Sequence, residues 1–593
     1  MNILAIHYGF NSSIAYLENG KLLYLLHEEK FDNIKNSICF PIECINFLRE
    51  KIDFSKIDKI SIGPKNISKK AWNRYLDKSS YNIKQEKYFF INLKDRLFYF
   101  IYKLTPFLFN FYNDYRTDNK KHIEKAKKWF ANELTKHLRV DIKKDMIDLV
   151  EHHITHALSP VYFYGLYKQK EPVLLLSLDG AGDRYCSSVR VWENGKIKDL
   201  GVTRFQYSLG FLWTYITSLL GMKPHEHEYK VMGLAAYTSE KYFISIYEKF
   251  FKDLIYIDGF NFKSKIPLNR ANVYFYKKLI GYRFDNIAGA LQYLTEKIVS
   301  EWVLNAVKKT GIKKIAVSGG VFMNIKLNKK IQELEDLEKI YFMPSAGDES
   351  TVLGLIFHSY LLNGGDLNKL DEIKTMYCGI DIGKDDTSSF IENNIKGKYN
   401  IEYLENEEKS SIKVSELLSK FEIVGVCRGK GEWGARSLCN RAILSNASDL
   451  KSFHTVNDMI KMRDFWMPFA PTMLEEFAPI YLKNWEQQKN KVIDSCYYMI
   501  TAFDSTDRGQ KDLIAAMHQK DKTLRPQLVN PNTNNWMYNM LKNYEKLTGM
   551  GGVMNTSLNI HGYPLVGTLD QALFTFENSG LKYILIDNYL ISK

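Results

Sequence analysis

The sequence lacks the features that carry a chain into or across a membrane. Its start, MNILAIHYGF, has no basic stretch followed by an apolar core and a cleavage site, so we expect no secretory leader. No apolar run among the 593 residues reaches the length of a bilayer span. We therefore expect a cytoplasmic protein.

Paired cysteines and repeats are also missing. The seven cysteines include no CxxC pair, which argues against a zinc ribbon and against a disulfide framework. No internal repeat and no low-complexity tract is visible. Hydrophobic residues make up 45% of the chain and aromatic residues 14%, which is enough for folded cores, and the length indicates about two to four domains.

Positive charge is concentrated in one part of the chain. Lys and Arg number 81 against 68 Asp and Glu, a net charge of +13. Between Lys65 and Lys144 the counts are 20 and 8, so nearly all of the excess lies there. The segment 64–145 has the pattern of helices that carry many aromatic side chains. It predicts either an insertion that contacts lipid headgroups or a polyanionic partner, or a helical hairpin whose lysines are simply solvated.

The first residues predict a three-stranded start. Residues 2–7, 13–17 and 21–27 have the apolar pattern of strands and are separated by polar turns. Three opening strands of this kind are typical of actin-like ATPase domains. The polar turn 9–13 could contact a phosphate or simply bend the chain. A helix is predicted to follow over 42–51.

Four polar side chains in and after the stretch 151–184 predict a metal site. His152 and His156 are four residues apart, which places both imidazoles on one face of a helix. One apolar strand runs directly into Asp179, and a later short strand leads to Asp348. Imidazole and carboxylate ligands together favour Zn, Fe or Mn over Ca or Mg. The alternative is a partly buried polar face that binds no ion.

Two further segments predict contacts to a nucleotide. Lys230 lies in a segment that looks like a loop entering a helix and is a candidate cation for a phosphate, with a solvated lysine as the alternative. The strand 314–318 leads into Gly319 and Gly320, so backbone amides there could approach a nucleotide closely. A glycine turn used only for packing would give the same pattern.

A second set of motifs begins after a predicted linker at 363–377. The segment GKGEWGAR, residues 429–436, matches G-x-G-x-x-G, but the acidic residue and the βαβ context of a dinucleotide site are missing. Cations on this loop and its helix, together with later residues, instead suit a phosphate-rich ligand. The candidates are Lys430, Arg436, Arg441, Arg463, Arg525, and Asn555 and Ser557 in a loop after the strand 552–554. Each alone would more often be a surface feature.

As a set, the motifs resemble O-carbamoyltransferases of the nodulation, tobramycin and cephalosporin type. The resemblance runs along nearly the whole chain through HHITHA, SLDGAGD, EYKVMGLAAY, SGGVFMN, SAGD, GKGEWGARSLCNR, KMRDFWMPFAP and VMNTSLNIHGYPLV. It implies an α/β protein whose first domain, 1–365, is an actin-like (duplicated ribonuclease H-like) ATPase-type domain, similar to the tRNA threonylcarbamoylation subunit, with the helical insertion at 64–145. A smaller α/β domain over 378–593 would be similar to threonylcarbamoyl-adenylate synthase.

The resemblance implies a reaction in two steps. The C-terminal domain would activate carbamoyl phosphate with ATP to carbamoyl-adenylate and release pyrophosphate. The N-terminal domain would hold that intermediate beside a metal and transfer the carbamoyl group to a hydroxyl group of a sugar, polyol or natural product. The implied cofactors are ATP with Mg²⁺, carbamoyl phosphate, and Fe(II) or another divalent transition metal.

The resemblance also implies the site residues, motif by motif. The metal shell would be His152, His156, Asp179 and Asp348. Adenylate contacts would come from Lys230, Gly319, Gly320 and Asn324. The activation site would be lined by Lys430, Arg436, Arg441, Arg463, Arg525, Asn555 and Ser557.

The chain departs from the family pattern where the acceptor is expected. The usual H-D/N of the first turn is Phe10-Asn11 here, so a histidine is missing. The general base is therefore open, and His7 or His153 could substitute. We predict Asn11, His153 and Lys230 as the catalytic residues.

The implied partner is a small-molecule hydroxyl acceptor, with a glycan or a lipid-linked molecule among the options, and no nucleic acid is expected. Peripheral membrane contact through 64–145 and a homodimer are further options. Two other functions stay open. An RNA-modifying or RNA-binding protein related to tRNA threonylcarbamoylation would fit the basic segment, and an actin-like sugar kinase would release ADP rather than AMP.

Overall fold

The computed structural model describes residues 1–65 and 120–593. Most of the basic segment predicted at 64–145 lies outside the described residues. Its described part is helical over Lys120–Leu138, and the remaining helices and the membrane contact stay predictions. The described chain forms two compact units. The first comprises Met1–Glu28 and Asn36–Lys374, and the second comprises Glu29–Lys35 and Thr375–Lys593. In the part of the chain that is described, no helix combines the length and the apolarity needed to cross a bilayer.

Strands and helices alternate through most of the first unit. Its strands are β1 (Asn2–His7), β2 (Gly9–Phe10), β3 (Ser13–Glu18), β4 (Lys21–His27), β5 (Ile38–Cys39), β6 (Lys59–Gly63), β7 (Ile147–Leu149), β8 (Val173–Gly182), β9 (Tyr185–Glu193), β10 (Lys196–Arg204), β11 (Ile255–Asp258), β12 (Asn261–Ser264), β13 (Lys314–Ser318) and β14 (Lys339–Phe342). Its helices are α1 (Ile42–Arg49), α2 (Lys120–Leu138), α3 (His152–Phe163), α4 (Leu209–Leu219), α5 (Glu228–Leu234), α6 (Glu240–Ile246), α7 (Ala271–Phe275), α8 (Phe284–Thr310), α9 (Ile325–Gln332) and α10 (Thr351–Leu362). The predicted opening strands and the helix predicted over 42–51 are confirmed.

Two sheets of the first unit have the same strand order. Their described strands follow the orders β4-β3-β1-β6-β7 and β10-β9-β8-β13-β14. In each sheet the first strand along the chain pairs antiparallel with the second, and the second with the third. The fourth strand runs parallel to the first, and the fifth parallel to the fourth. This duplication confirms the predicted actin-like class.

Parallel pairing brings three strand ends to one edge of the second sheet. Strands β8, β13 and β14 run in the same direction, and their apolar residues are almost all buried. Continuous apolar runs are expected where both faces of a sheet are covered. Because the carboxyl ends of parallel strands meet at one edge, the polar residues that end or follow these strands, among them Asp179 and Asp348, can meet there.

Helices α3 and α10 pack side by side where both carry small residues. A Cβ added to Gly354 of α10 would lie 1.9 Å from the carbonyl oxygen of Thr155 on α3. The Ser159 Oγ donates a hydrogen bond of 2.8 Å to the carbonyl oxygen of Ser350, which directly precedes α10. This close approach fixes the turn that carries Asp348 against the helix that carries the two histidines.

The second unit is also a mixture of strands and helices. Its strands are β15 (Asn400–Tyr403), β16 (Val424–Cys427), β17 (Arg441–Ser445), β18 (Ala470–Leu474), β19 (Phe503–Asp504), β20 (Thr523–Leu524), β21 (Gln527–Val529), β22 (Gly552–Ser557), β23 (Tyr583–Ile586) and β24 (Tyr589–Ser592). Its helices are α11 (Lys384–Asn394), α12 (Glu407–Ser419), α13 (Leu450–Thr455), α14 (Ala478–Tyr481), α15 (Trp485–Cys496), α16 (Asp507–Asp512), α17 (Asn535–Thr548) and α18 (Leu569–Glu577), besides the short helix Glu29–Asp32.

One mixed sheet organises the second unit. Its described strands follow the order β15-β24-β23-β16-β17-β22-β18-β21, with β16–β23 and β18–β21 parallel. Helices α12 and α17 pack on the sheet through a core that includes Leu418, Trp536 and Met540. The predicted smaller α/β domain is confirmed as α/β. Its likeness to threonylcarbamoyl-adenylate synthase and the domain bounds 1–365 and 378–593 stay predictions.

A short N-terminal segment, Glu29–Lys35, belongs to the second unit. The Gln571 Nε2 in the first turn of α18 donates a hydrogen bond of 3.0 Å to the carbonyl oxygen of Lys30. A Cβ added to Gly567 would lie 2.7 Å from the same oxygen, so a glycine is needed for this approach. The second unit is therefore completed by residues from near the start of the chain.

Gly354→Ala should destabilise the first unit. The added methyl group would meet the backbone of α3, and overpacking of this kind costs about 1 to 3 kcal/mol. Gly180→Ala is the matched control, because its added Cβ would meet no atom within 4 Å. Thermal unfolding of the full chain tests this, and equal midpoints for the two variants would contradict the described helix packing.

Candidate metal and phosphate sites

Four side chains from three elements converge at the edge of the second sheet. Helix α3 presents His152 and His156 on one face, Asp179 ends the buried part of β8, and Asp348 follows β14. One ligand atom from each of the four lies within 4.8 Å of all the others. The structure thus brings together all four residues predicted as a metal shell.

The distances show a tight and largely buried cluster. His152 Nε2 lies 3.5 Å from Asp179 Oδ2 and 3.5 Å from Asp348 Oδ1, and His156 Nε2 lies 3.3 Å from that same oxygen. His152 is 2% exposed and His156 is fully buried. Among the described residues, His152 Nε2 has no hydrogen-bond partner, although it is buried. A buried nitrogen without a partner between two carboxylates is suited to metal ligation.

A second layer of contacts orients these ligands. His156 Nδ1 lies 3.2 Å from the Oγ of Ser318, at the end of β13, which leaves Nε2 directed at the cluster. The backbone N–H of Gly320 donates to Asp179 Oδ1 at 2.9 Å. The backbone N–H of His152 donates to Asp183 Oδ2 at 2.9 Å. Such contacts fix ring orientation and carboxylate position before any ion binds.

The residue before the two histidines explains why the helix begins there. The Glu151 carboxylate accepts hydrogen bonds from the backbone N–H groups of His153 at 2.8 Å and Ile154 at 3.0 Å. These are the donors that a helix start leaves unsatisfied. Arg190 Nη2 donates to the same carboxylate at 3.0 Å, so the cap is itself held in place.

The charged groups of the cluster shift the pKa values of one another. Burial lowers the pKa of His152, but the carboxylates of Asp348 and Asp179 outweigh it and raise the pKa to about 9. Burial raises the pKa of Asp179, but the neighbouring histidines outweigh it and hold the pKa well below its ordinary value. Two imidazole nitrogens and two carboxylate oxygens match the donors that a divalent transition metal takes in proteins, so the residues fit such an ion.

The two candidate bases lie beside the cluster in different settings. His153 Nδ1 lies 2.9 Å from Ser177 Oγ, and burial followed by the neighbouring histidines lowers its pKa well below the ordinary value. His7 Nε2 lies 2.9 Å from the carbonyl oxygen of Phe10 and 3.9 Å from Asp348 Oδ2. Burial lowers the pKa of His7 to about 4. Both imidazoles are therefore neutral near pH 7.

The other predicted catalytic residues occupy different positions. Asn11 adopts a left-handed φ of 53°, and its Nδ2 donates to Glu349 Oε2 at 3.2 Å. Lys230 is buried within α5, which begins at Glu228, so the predicted loop at this position is replaced by helix. Their catalytic roles stay predictions.

The predicted adenylate residues hold the end of β13 in place. Gly319 has a φ of 102°, and a Cβ there would lie 2.3 Å from the carbonyl oxygen of Leu178, so only glycine fits. Asn324 caps α9, with its Oδ1 accepting from the Leu327 N–H at 3.0 Å. Its Nδ2 donates to Gln292 at 2.8 Å. These contacts explain the residue types, and contact with an adenylate stays a prediction.

In the second unit, one carboxylate shapes the glycine-rich loop. Glu432 Oε1 accepts hydrogen bonds from the backbone N–H groups of Leu438, Asn440 and Arg441, at 2.7, 2.8 and 3.1 Å. The loop therefore leads into strand β17, which begins at Arg441. The helix predicted after this loop was wrong, because the carboxylate takes up these amides and the chain then pairs with the strands on either side.

Several predicted phosphate ligands instead hold this unit together. The buried Arg441 guanidinium donates to the carbonyl oxygens of Arg428, Gly429, Ile380 and Asn440. Asn555 lies inside β22 rather than in a loop, and its Nδ2 donates to Thr472 Oγ1 at 2.9 Å. The predicted loop at this position was wrong because β22 pairs with β17 and β18 on its two sides.

A buried lysine of the KMRDFWMPFAP motif, which was not among the predicted site residues, holds Ser557. Lys461 Nζ donates to the carbonyl oxygen of Ser557 at 2.7 Å and to its Oγ at 3.1 Å. Burial, followed by Arg463 and Lys35, lowers the pKa of Lys461 well below its ordinary value. Its position two residues before the predicted Arg463 is the signal that could have found it.

Arg525 is a buried cation with spare hydrogen-bonding capacity. It is 5% exposed, and its Nε and Nη1 are buried without a hydrogen-bond partner in the described part of the chain. Burial, followed by the charge of Arg525, lowers the pKa of Arg436 to about 10, so the two guanidinium groups are close enough to repel each other. A buried guanidinium group beside a half-buried one suits a phosphate. Of the other predicted cations, Arg463 stacks on Phe469 at 4.0 Å and Lys430 is exposed.

Comparison with known proteins identifies the family. The model of the carbamoyltransferase N-terminus matches residues 2–357, and that of the carbamoyltransferase C-terminus matches residues 415–593. This chain belongs to the carbamoyltransferase family. It is therefore a transferase, and the predicted family and enzyme class are confirmed.

Relatives of this carbamoyltransferase occur in archaea and in root-nodule bacteria. An uncharacterized protein of Methanocaldococcus jannaschii is 28% identical over 78% of this chain and 76% of its own length. Nodulation protein NolNO of Sinorhizobium fredii is 27% identical over 78% of this chain and 66% of its own. A solved structure of HypF from T. kodakarensis is 15% identical, with a TM-score of 0.34, over 62% of this chain and 49% of that chain.

Gly182→Ala should weaken metal binding by this carbamoyltransferase. Its added Cβ would lie 2.1 Å from two ring atoms of the buried His152, which must then move. Disturbing the groups that orient a metal ligand typically costs about 10 to 100-fold in metal affinity. Metal content of the purified chain measures the loss. Gly180→Ala, two residues away in the same strand, should keep the ion, and equal loss in both variants would count against the described cluster.

Arg525→Met and Arg441→Met should change stability in opposite directions. A buried charge with two nitrogens that lack a hydrogen bond is costly, so Arg525→Met should stabilise the ligand-free chain by about 1 to 4 kcal/mol. Arg441→Met should destabilise it by about 2 to 4 kcal/mol, because buried carbonyl oxygens lose their donors. Thermal unfolding without ligands tests both, and loss of stability in Arg525→Met would show that its guanidinium has protein partners.

Proposed function

We propose that this carbamoyltransferase makes carbamoyl-adenylate from carbamoyl phosphate and ATP and transfers the carbamoyl group to a hydroxyl group of a sugar, polyol or natural product. The observation that carries the proposal is the meeting of His152, His156, Asp179 and Asp348 at one sheet edge. Family membership supports carbamoyl transfer as the reaction type. The buried Arg525 in the second unit, whose Nε and Nη1 have no hydrogen bond in the described residues, supports the use of phosphate compounds.

The activation step belongs to the second unit. Water cleaves carbamoyl phosphate into carbamate and phosphate, and an oxygen of carbamate then attacks the α-phosphorus of ATP. The bond from that phosphorus to pyrophosphate breaks, which gives carbamoyl-adenylate. Arg525 and Arg436 would hold phosphate groups through charge-assisted hydrogen bonds, and Mg²⁺ would accompany the ATP. Negative charge from the ligand would also relieve the repulsion between the two guanidinium groups.

The transfer step belongs to the first unit. The acceptor oxygen bonds to the carbonyl carbon, the bond from that carbon to AMP breaks, and the hydroxyl proton passes to a base. The neutral imidazoles of His7 and His153 lie beside the cluster and are the candidate bases. The glycines at 319 and 320 leave room for a close approach to the strand end.

The four ligand residues would hold Fe(II) or another divalent transition metal. When bound, such an ion supplies a Lewis acid that favours negative charge on a phosphate or carbonyl oxygen. The residues around it do the positioning: Ser318 orients His156, Gly320 holds Asp179, and Asp183 holds the start of α3. These contacts are made by the chain itself, so they position the ligand side chains independently of the ion.

The decisive experiment follows both products of ATP. With full-length protein, Mg²⁺, ATP, carbamoyl phosphate and a hydroxyl acceptor, we expect pyrophosphate and AMP, and the release of both should depend on carbamoyl phosphate. Arg525→Met should lower pyrophosphate release about 100-fold, because a donor to phosphate is lost from a buried site. Asp348→Asn should keep pyrophosphate release within about 3-fold. That variant should lose transfer of radiolabelled carbamoyl groups to a panel of sugars and polyols.

Controls separate the two units and the competing functions. Asp253→Asn, at a carboxylate that is 70% exposed, is the matched control for Asp348→Asn and should leave both activities unchanged. Pyrophosphate release that Arg525→Met and Asp348→Asn abolish equally would contradict the division between two units. No pyrophosphate from clean protein would rule the proposal out, and ADP in its place would favour a kinase.

A further inference from the structure

A cleft in the first unit shares no residue with the candidate metal site. It lies between α1 and the C-terminal end of α2 and has a volume of about 210 Å³. Its lining residues are Ile42, Ile45, Asn46, Arg49, Lys136, His137 and Arg139. Within the described chain, this lining contains three permanent cations and a histidine but no carboxylate.

Arg49 is held in the wall of this cleft by two hydrogen bonds, and one of its nitrogens has no hydrogen-bond partner in the described residues. Its Nη1 donates to Asn46 Oδ1 at 2.9 Å, and its Nη2 donates to the carbonyl oxygen of His137 at 2.8 Å. Its Nε is buried and has no partner among the residues that the structure describes. The guanidinium is therefore held rigidly by two bonds while a third donor lacks an acceptor. Buried N–H groups rarely remain unsatisfied unless a ligand or water completes them.

The other cations add charge that the protein does not balance locally. Lys136 pairs with Glu133 at 2.8 Å but remains 68% exposed. Arg139 follows α2 directly, with a left-handed φ of 59°, and is exposed. Cations are favoured at helix C-termini, which accounts for the bond from Arg49 to His137. The lining therefore carries three cations, and among its described contacts one carboxylate, Glu133, pairs with one of them.

We infer that this cleft binds a phosphate group, either as free phosphate or as a small monoester. A guanidinium fork beside an ammonium group is a common phosphate-binding combination. The side chains of Ile42 and Ile45 offer an apolar wall to the organic part of a monoester. The volume admits a phosphate together with a few carbon atoms, and no larger ligand is required.

His137 provides a local reporter of occupancy. Its ring lies 5.1 Å from the ring of Phe40, centroid to centroid. Burial lowers the pKa of His137; the charges of Lys136 and Arg49 lower it further, and Glu133 opposes them. A bound anion would reverse the effect of the cations and raise this pKa. Nuclear magnetic resonance of histidine labelled with ¹³C at Cε1 can follow that change in the full chain, with His137→Gln to assign the signal.

The test titrates the full chain with inorganic phosphate and with glycerol 3-phosphate at low ionic strength. We expect saturable shifts of the His137 signal and a titration midpoint that moves to higher pH. Arg139→Ala and Lys136→Ala should each weaken phosphate binding about 10-fold, because each removes a charge-assisted contact. Lys143→Ala, an exposed lysine outside the lining, is the matched control and should change the affinity less than about 2-fold.

The outcomes are distinct. Tighter binding of glycerol 3-phosphate would identify a monoester as the ligand, and equal binding would identify free phosphate. A His137 signal that does not respond, or equal affinity in Arg139→Ala and Lys143→Ala, would overturn the inference. Pyrophosphate release from ATP should be unchanged in Arg139→Ala, so this site stands or falls independently of the proposed reaction.

Discussion

The attraction between two carboxylates and two buried imidazoles is the interaction on which the first unit depends. Asp179 lies in β8, Asp348 follows β14, and His152 and His156 lie on α3, yet their ligand atoms lie within 4.8 Å of one another. Taking four ionisable groups out of water is expensive unless each is paired. Fixed contacts from Ser318, the Gly320 amide and Asp183 offset part of this desolvation free energy, and a bound ion would offset the rest.

The second unit holds buried cations at the proposed phosphate site. Arg441 and Lys461 are buried, and oxygens of the unit accept hydrogen bonds from Lys461 Nζ and from both Nη atoms of Arg441, which leaves only Arg441 Nε without a partner in the described residues. These two cations therefore build the unit. Arg525 is equally buried and has two nitrogens without partners in the described residues. The difference between these cations is therefore one of hydrogen-bond satisfaction and not of charge or burial. Burying such a cation destabilises the ligand-free protein, and a highly charged substrate that binds there would remove that destabilisation.

Much of the fold could be predicted from the sequence because apolar patterns identify strands and helices locally. The opening strands, the His152–His156 face and the metal shell were predicted from such patterns and from motif resemblance. The helix after the glycine-rich loop and the loop at Asn555 were wrong, because Glu432 and the neighbouring strands act across long sequence separations. Nothing in the sequence around Glu29–Lys35 indicates that this segment belongs to the second unit. The burial of Arg525 with two nitrogens that lack a hydrogen bond likewise depends on tertiary packing, which no short motif predicts.

The central claim is that the cluster of His152, His156, Asp179 and Asp348 holds one divalent transition ion. A crystal structure of the full chain with anomalous diffraction, collected on both sides of the iron edge and then of the other transition-metal edges, tests it most directly. The account predicts a single anomalous peak bonded to all four side chains. A peak elsewhere in the chain, or a cluster that stays closed by direct contacts in protein saturated with metal, would contradict it.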